Sequence, residues 1–177
     1  MLGLPKGNVH IHNYDPYYVK FFHEEKAILT PILGERVIDI QHVGSTAIGI
    51  QAKPIVDIAV GLNDLGDIST FNDKRLREHQ YYRLQVQLPD EVVYAKFSSL
   101  ENLVKTHFLH VVAHNSEKWK ALLIFRDQLR ANPNLAQEYV ELKQRLAVLY
   151  SNDELAYTAG KEAFVKKVIQ DFRSNNS

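Results

Sequence analysis

The chain has 177 residues, 21 basic against 21 acidic side chains, and no cysteine. That length buries a core without disulfides or a structural metal. The even charge excludes nucleic-acid binding through bulk charge, and the missing thiol excludes zinc–thiolate, iron–sulfur and cysteine-nucleophile chemistry. No apolar run reaches the roughly 20 residues that span a bilayer, so the sequence reads as a soluble, cytoplasmic chain folded as one domain.

In chain order, residues 1–8 read as a loose tail and Asn8–His12 as a short strand. Asp15-Pro16 is a helix start, a capping side chain followed by proline at the first helical position. Apolar residues at Val19, Phe22, Ala27 and Leu29 carry that helix to about Pro31 or Gly34. Arg36–Val43 is rich in β-branched residues and reads as a strand ending at Gly44. Ser45–Lys53 is a loop or short helix, and Ile55–Val60 is the most apolar strand, closed by Gly61. Asp67 to His79 predicts a helix. Tyr81–Val86, Val92–Ser98 and Lys105–Ala113 predict three strands, with Pro89-Asp90 and Glu101-Asn102 at their turns. Ser116, Asn132-Pro133 and Asn152 or Asp153 then open three successive helices, the last running to about Phe172. The order predicts an α+β fold: a sheet-containing half over residues 9–114, then a helical half over residues 115–173.

The chemistry concentrates in His42-Val43-Gly44-Ser45-Thr46 and Lys53-Pro54-Ile55-Val56-Asp57. A Gly-Ser turn leading from a strand into a helix start offers free N–H groups and a hydroxyl to an anion such as phosphate. Asp57 lies inside an apolar strand, where a carboxylate needs a partner, and a divalent metal is one. The plainer alternative is a capped turn, with Asp57 paired to Lys53 or to a backbone donor.

These segments resemble the GrpB family, small proteins assigned to the nucleotidyltransferase superfamily. The resemblance extends to Tyr14-Asp15-Pro16 with Phe22, to the histidine-bearing stretch Thr106–Val112, to Arg126-Asp127 with Leu129, Arg130 and Pro133, and to Tyr157-Thr158, Gly160-Lys161 and Phe164. It implies a nucleotidyltransferase-like mixed β-sheet with flanking helices and a C-terminal run of about three helices. It also implies a comparison with active members of the superfamily, which carry Gly-Ser, then two carboxylates two residues apart, then a third on a later strand, to hold two metals. Here Gly44-Ser45 and Asp57 match, but Ala59 stands at the second carboxylate position and the later strand carries His107 and His110. Phe108 stands where the family often has histidine, and the loop after Ile48 is one residue short.

The site expected from these residues has Gly44, Ser45, Thr46, Lys53 and Lys96 on a phosphate or nucleotide. Asp57, His42 and His110 are expected around a divalent metal, magnesium or manganese or else zinc, with Asp57 and His110 as the catalytic pair. Strand alternation puts His107 and His110 on opposite faces, so His110 is the one expected to face Asp57. Each residue has a structural alternative: Lys96 as a solvated strand lysine, Lys53 as a partner of Asp57, His110 as a hydrogen-bonded half-buried histidine. Arg126 and Lys161 read as surface ion-pair residues within possible reach of a ligand, and Trp119 as core. The functional expectation is a protein that binds a nucleotide or phosphorylated small molecule, with metal-dependent nucleotidyl or phosphoryl transfer at that site. The alternative is a non-catalytic nucleotide- or coenzyme-binding module, or a scaffold, that has lost its metal carboxylates.

Overall fold

The computed structural model describes residues 1–176. Helix α1 spans Tyr17–Leu33, its first turn bonded to the Asp15 carboxylate through the Tyr17 N–H, and it ends at Gly34 in a positive-φ conformation. Strand β1 (Val37–Val43) feeds a single helical turn, α2 (Gly44–Ile48), and β2 follows at Val56–Leu62. Gly61 lies within β2 rather than closing it. The helix predicted over Asp67–His79 is split in two. A 3-10 helix at Leu65–Thr70 and α3 at Asp73–Glu78 are separated by Phe71, whose extended backbone stops the first, while Asn72 caps the second.

Strand β3 is short, Tyr81–Arg83, because past Leu84 the chain leaves the ladder for the Pro89-Asp90 turn. Strands β4 (Val92–Ser99) and β5 (Val104–Ala113) fall as predicted. The three C-terminal helices are α4 (Glu117–Ala131), α5 (Pro133–Leu149) and α6 (Glu154–Asn175). Ser116, Asn132 and Asp153 each accept a backbone N–H at the predicted starts.

The five strands form one mixed sheet in the order β1-β2-β5-β4-β3, with β2 and β5 parallel and the other neighbours antiparallel. Alternation along the strands gives the sheet two faces. One face presents Ile40, Val56, Ile58, Val60, Leu109 and Val111 to Phe22, Leu29 and Leu33 of α1 and to Leu76 of α3. The other carries Val43, Ala59 and Val112 against Trp119 of α4. The helical half has its own core, where Phe125, Leu129, Tyr139 and Val168 interlock.

The first residues are neither a loose tail nor a strand. Leu4 exchanges two backbone hydrogen bonds with Lys105, and His12 exchanges two with Ala52. Between them Val9 donates to Ser151 and is buried against Leu146 and Tyr157. The segment is a strap from the start of β5 to the helical half.

Candidate functional site

β2 and β5 run side by side with Asp57 opposite Phe108 and Ala59 opposite His110. Their side chains on the second face look onto a cavity of about 290 Å³ between the sheet and the helical half. Ser45 and Lys53 border it from the α2 side, Lys143 from α5, and Glu154, Tyr157 and Lys161 from α6.

Gly44 is required at the turn for two reasons. Its φ is +71°, a conformation that an L side chain resists, and a Cβ there would sit 2.6 Å from Asp57 Oδ2. The backbone thus closes onto the Asp57 carboxylate. His110 lies between two carboxylates: its Nε2 is 3.1 Å from Asp57 Oδ1 and its Nδ1 is 2.5 Å from Glu91 Oε1. Glu91 is almost fully buried and takes a further ion pair from Lys118 at 3.0 Å. Burial alone would make His110 harder to protonate. The hydrogen bonds to Asp57 and Glu91 outweigh it and raise its pKa to about 9, so the ring is an imidazolium donating from both nitrogens. Burial likewise pushes Glu91 up, but its bond to His110 prevails and holds it at about 2. Asp57 Oδ2 makes no hydrogen bond among the described residues and faces Gly44.

Facing this pair is a cluster of ammonium groups. Lys143, 1% exposed, donates to Ser45 Oγ at 3.0 Å and to the Gln51 carbonyl. Its ammonium lies 4.8 Å from the Tyr139 ring centroid. Burial and the Lys161 charge bring Lys143 down to about 7. Burial and the Lys53 charge bring Lys161 down to about 8. Lys161 lies over the Tyr157 ring at 4.5 Å and makes no hydrogen bond or ion pair among the described residues. Lys53 pairs with Glu154 at 3.2 Å, not with Asp57, and Lys105 takes the other Glu154 oxygen.

Of the residues expected from the sequence, Gly44, Ser45, Lys53, Asp57 and His110 come together. Three others do not. His42 pairs with Ile58 across β1–β2, which turns it to the opposite face, where it stacks on Phe22 at 4.9 Å and bonds Thr46 Oγ1 at 2.9 Å. Burial there lowers it to about 4. Thr46 is consumed by that bond and is 1% exposed. Lys96 lies opposite His107, also on the far face, and its ammonium is taken by Glu25, which further accepts from Tyr81 at 2.7 Å. Arg126 holds the Gln41 side chain and the His42 carbonyl, and Arg130 holds the Ala47 carbonyl, so both brace the turn.

Glu91, Lys143, Glu154 and Tyr157 complete the site and were not among the expected residues. Lys143 had a visible signal, since it occupies the inward stripe of α5 formed by Ala136, Tyr139, Val140 and Leu146. No group of three or more His, Asp or Glu side chains arranged to hold a metal occurs among the described residues. Asp57 supplies one open carboxylate oxygen. A divalent ion there would need its remaining ligands from a bound phosphate and water, the usual habit of magnesium.

The family model for the GrpB protein matches residues 8–171. The glutamate-rich protein GrpB of Alkalihalophilus pseudofirmus is 47% identical over 97% of this chain and 99% of its own length. The protein YqkA of Bacillus subtilis is 31% identical over 92% of this chain but 46% of its own length. Among solved structures, GrpB from Enterococcus faecalis aligns with a TM-score of 0.80 at 28% identity, over 92% of this chain and 96% of that one. The Cid1 poly(U) polymerase bound to MgGTP aligns with a TM-score of 0.53 at 12% identity, over 77% of this chain and 44% of that one. That second likeness is one of fold: the sheet and helices are arranged as in nucleotidyltransferases. No helix among the described residues is long and apolar enough to cross a membrane.

Proposed function

Because the chain belongs to the GrpB family and has a nucleotidyltransferase-like fold, we propose that it binds a nucleotide or another phosphorylated small molecule in the cavity beside Ser45. The observation that carries this is the convergence of Lys53, Lys143 and Lys161 on one small cavity, where among the described residues Lys161 has no hydrogen-bond or ion-pair partner and Lys143 is held only by neutral oxygens. A buried or half-buried ammonium without a counter-charge is costly, and a phosphate entering the cavity removes that cost for Lys143 and Lys161 while accepting hydrogen bonds from both, from Lys53 and from Ser45. Cid1 holding MgGTP is consistent with such a ligand.

Binding without transfer is the reading favoured by Ala59 and by His110. In a two-metal site the carboxylates face cations. Here the imidazolium of His110 bridges Asp57 and Glu91, and Lys118 supplies a second positive charge at Glu91, so the two carboxylates are already balanced without a metal. Metal-dependent transfer is the second reading, favoured by Asp57 Oδ2, which is open to a magnesium or manganese ion carried in on the phosphates.

Thermal unfolding with inorganic diphosphate and with ATP, GTP, CTP and UTP, each with and without magnesium or manganese, tests both. A ligand at 100 times its dissociation constant adds about 2.7 kcal/mol, a rise in Tm of roughly 5–10 °C for a chain of this size. We expect a metal-free rise that is lost in Lys161→Ser and kept in Asp57→Asn. A rise that needs metal and vanishes in Asp57→Asn establishes the second reading instead. No rise with any phosphate refutes both.

A further inference from the structure

A groove of about 800 Å³ opens beside the cavity and shares Thr158 and Lys161 with it. One face of α4 and one face of α6 form its walls, through Leu122 and Phe125 on the first and Val165 and Ile169 on the second. The Leu88-Pro89 turn forms the lip, with Leu88 41% exposed. The floor reaches Gly44 and Tyr139, so the groove ends at the phosphate site itself.

The two spaces differ in chemistry. The cavity, at about 290 Å³, is at the lower bound for small-molecule sites and presents three lysines and the Asp57 and Glu154 carboxylates among apolar side chains. It accommodates an anionic head and little else. The groove walls are mostly aliphatic and aromatic, with Asp90, Glu162 and Lys166 exposed beside them and Lys118 half-buried.

From this continuity of charge and apolar surface, we propose that the ligand is amphipathic: a phosphate or diphosphate ester whose head sits among Lys53, Lys143 and Lys161 and whose aliphatic chain runs past Thr158 into the groove between α4 and α6. This rests on the reading of the cavity as a phosphate site and names the class of molecule that fills it. Lys161, at the junction, holds the ester where head meets chain. Leu88, at the lip, covers the far end of the chain.

Isothermal titration of the full chain with inorganic diphosphate, with butyl, hexyl and octyl phosphate below their micellar concentrations, and with UTP and GTP is the test. Burial of each methylene predicts a gain of about two- to fourfold in affinity along the alkyl series. Leu88→Asp, a substitution at an exposed position, weakens octyl phosphate at least fivefold and leaves inorganic diphosphate unchanged. Val165→Asp, deeper in the groove, flattens the series. Equal affinity for all three alkyl phosphates, with diphosphate still bound, overturns the amphipathic ligand and leaves the phosphate site standing. UTP or GTP binding more tightly than octyl phosphate, and weakened by Leu88→Asp, assigns the groove to a nucleoside and also overturns it. Failure of every anion to bind removes the phosphate reading and this one with it.

Discussion

Replacing His110 with glutamine tests the electrostatic arrangement at the centre of the site. Free histidine titrates at 6.5, and His110 is held at about 9 by Asp57 and Glu91. Each pKa unit is worth about 1.4 kcal/mol, so the charged ring contributes about 3 kcal/mol, trimmed somewhat because its side chain keeps 22% exposure. The folded-state pKa lies above the unfolded one. The contribution is therefore complete below pH 6.5 and disappears as pH rises to about 9. Lys143 and Lys161 act in the opposite direction: their folded pKa values, about 7 and 8, lie below the usual 10.5, so they favour the folded state as pH rises. Both lysines are present in wild type and variant, so their effects cancel in the difference. Urea unfolding, followed by the fluorescence of the buried Trp119, is run from pH 6 to pH 10 on both proteins. The wild type is expected to exceed His110→Gln by about 2–3 kcal/mol at pH 6, with the gap closing above pH 9. A gap that stays constant across that range means that His110 is not an imidazolium, and the account of Asp57 and Glu91 falls with it.

Gly44→Ala places a methyl group 2.6 Å from Asp57 Oδ2 at a φ of +71°. The backbone alone costs about 1–2 kcal/mol, and displacing Asp57 also lowers the pKa of His110, which a histidine proton NMR titration detects. Lys143→Met removes a cation that titrates at about 7, so the stability of the wild type relative to this variant should climb between pH 7 and pH 10 in urea unfolding, and the variant should lose the thermal shift with diphosphate. Leu129→Ala, at a position 1% exposed between α4 and its neighbours, should cost about 2–5 kcal/mol. Calorimetry should then show a lower Tm and an unchanged His110 titration, since the site is elsewhere.

The sequence was most legible where local chemistry decides. Three capping side chains marked three helix starts correctly, because each satisfies N–H groups that the helix itself cannot. Strand alternation separated His107 from His110, and the structure places Asp57 opposite the strand segment that carries His110. What failed was what depends on register. His42 and Asp57 lie on antiparallel neighbours, and the pairing of Val43 with Asp57 turns His42 to the far face. A shift by one residue would have done the reverse, and no local feature fixes that pairing. Lys96 was misplaced for the same reason. Glu91 was hidden beside the Pro89-Asp90 turn, although it shares the face of Val93, which lies opposite His110. The helix predicted over Asp67–His79 failed because Phe71 adopts an extended backbone in the middle of it.

The strap formed by the first residues has a consequence during synthesis. Leu4 and Val9 are made well before the segments they pack against, and both end up buried. Their partners, Lys105 and Ser151, emerge some hundred residues later or more. At roughly 5–20 residues per second, Val9 waits on the order of ten seconds for the segment that covers it. Through that interval the nascent chain carries an unpaired, apolar N-terminal segment beside an unfinished sheet. Helix α6, made after every other element of this fold, brings Tyr157 to cover Val9, and Tyr157 and Lys161 of the same helix close the cavity. The wall of the ligand site and the shelter of the N-terminus therefore form in the same event, and a ribosome-stalled chain lacking α6 would have neither.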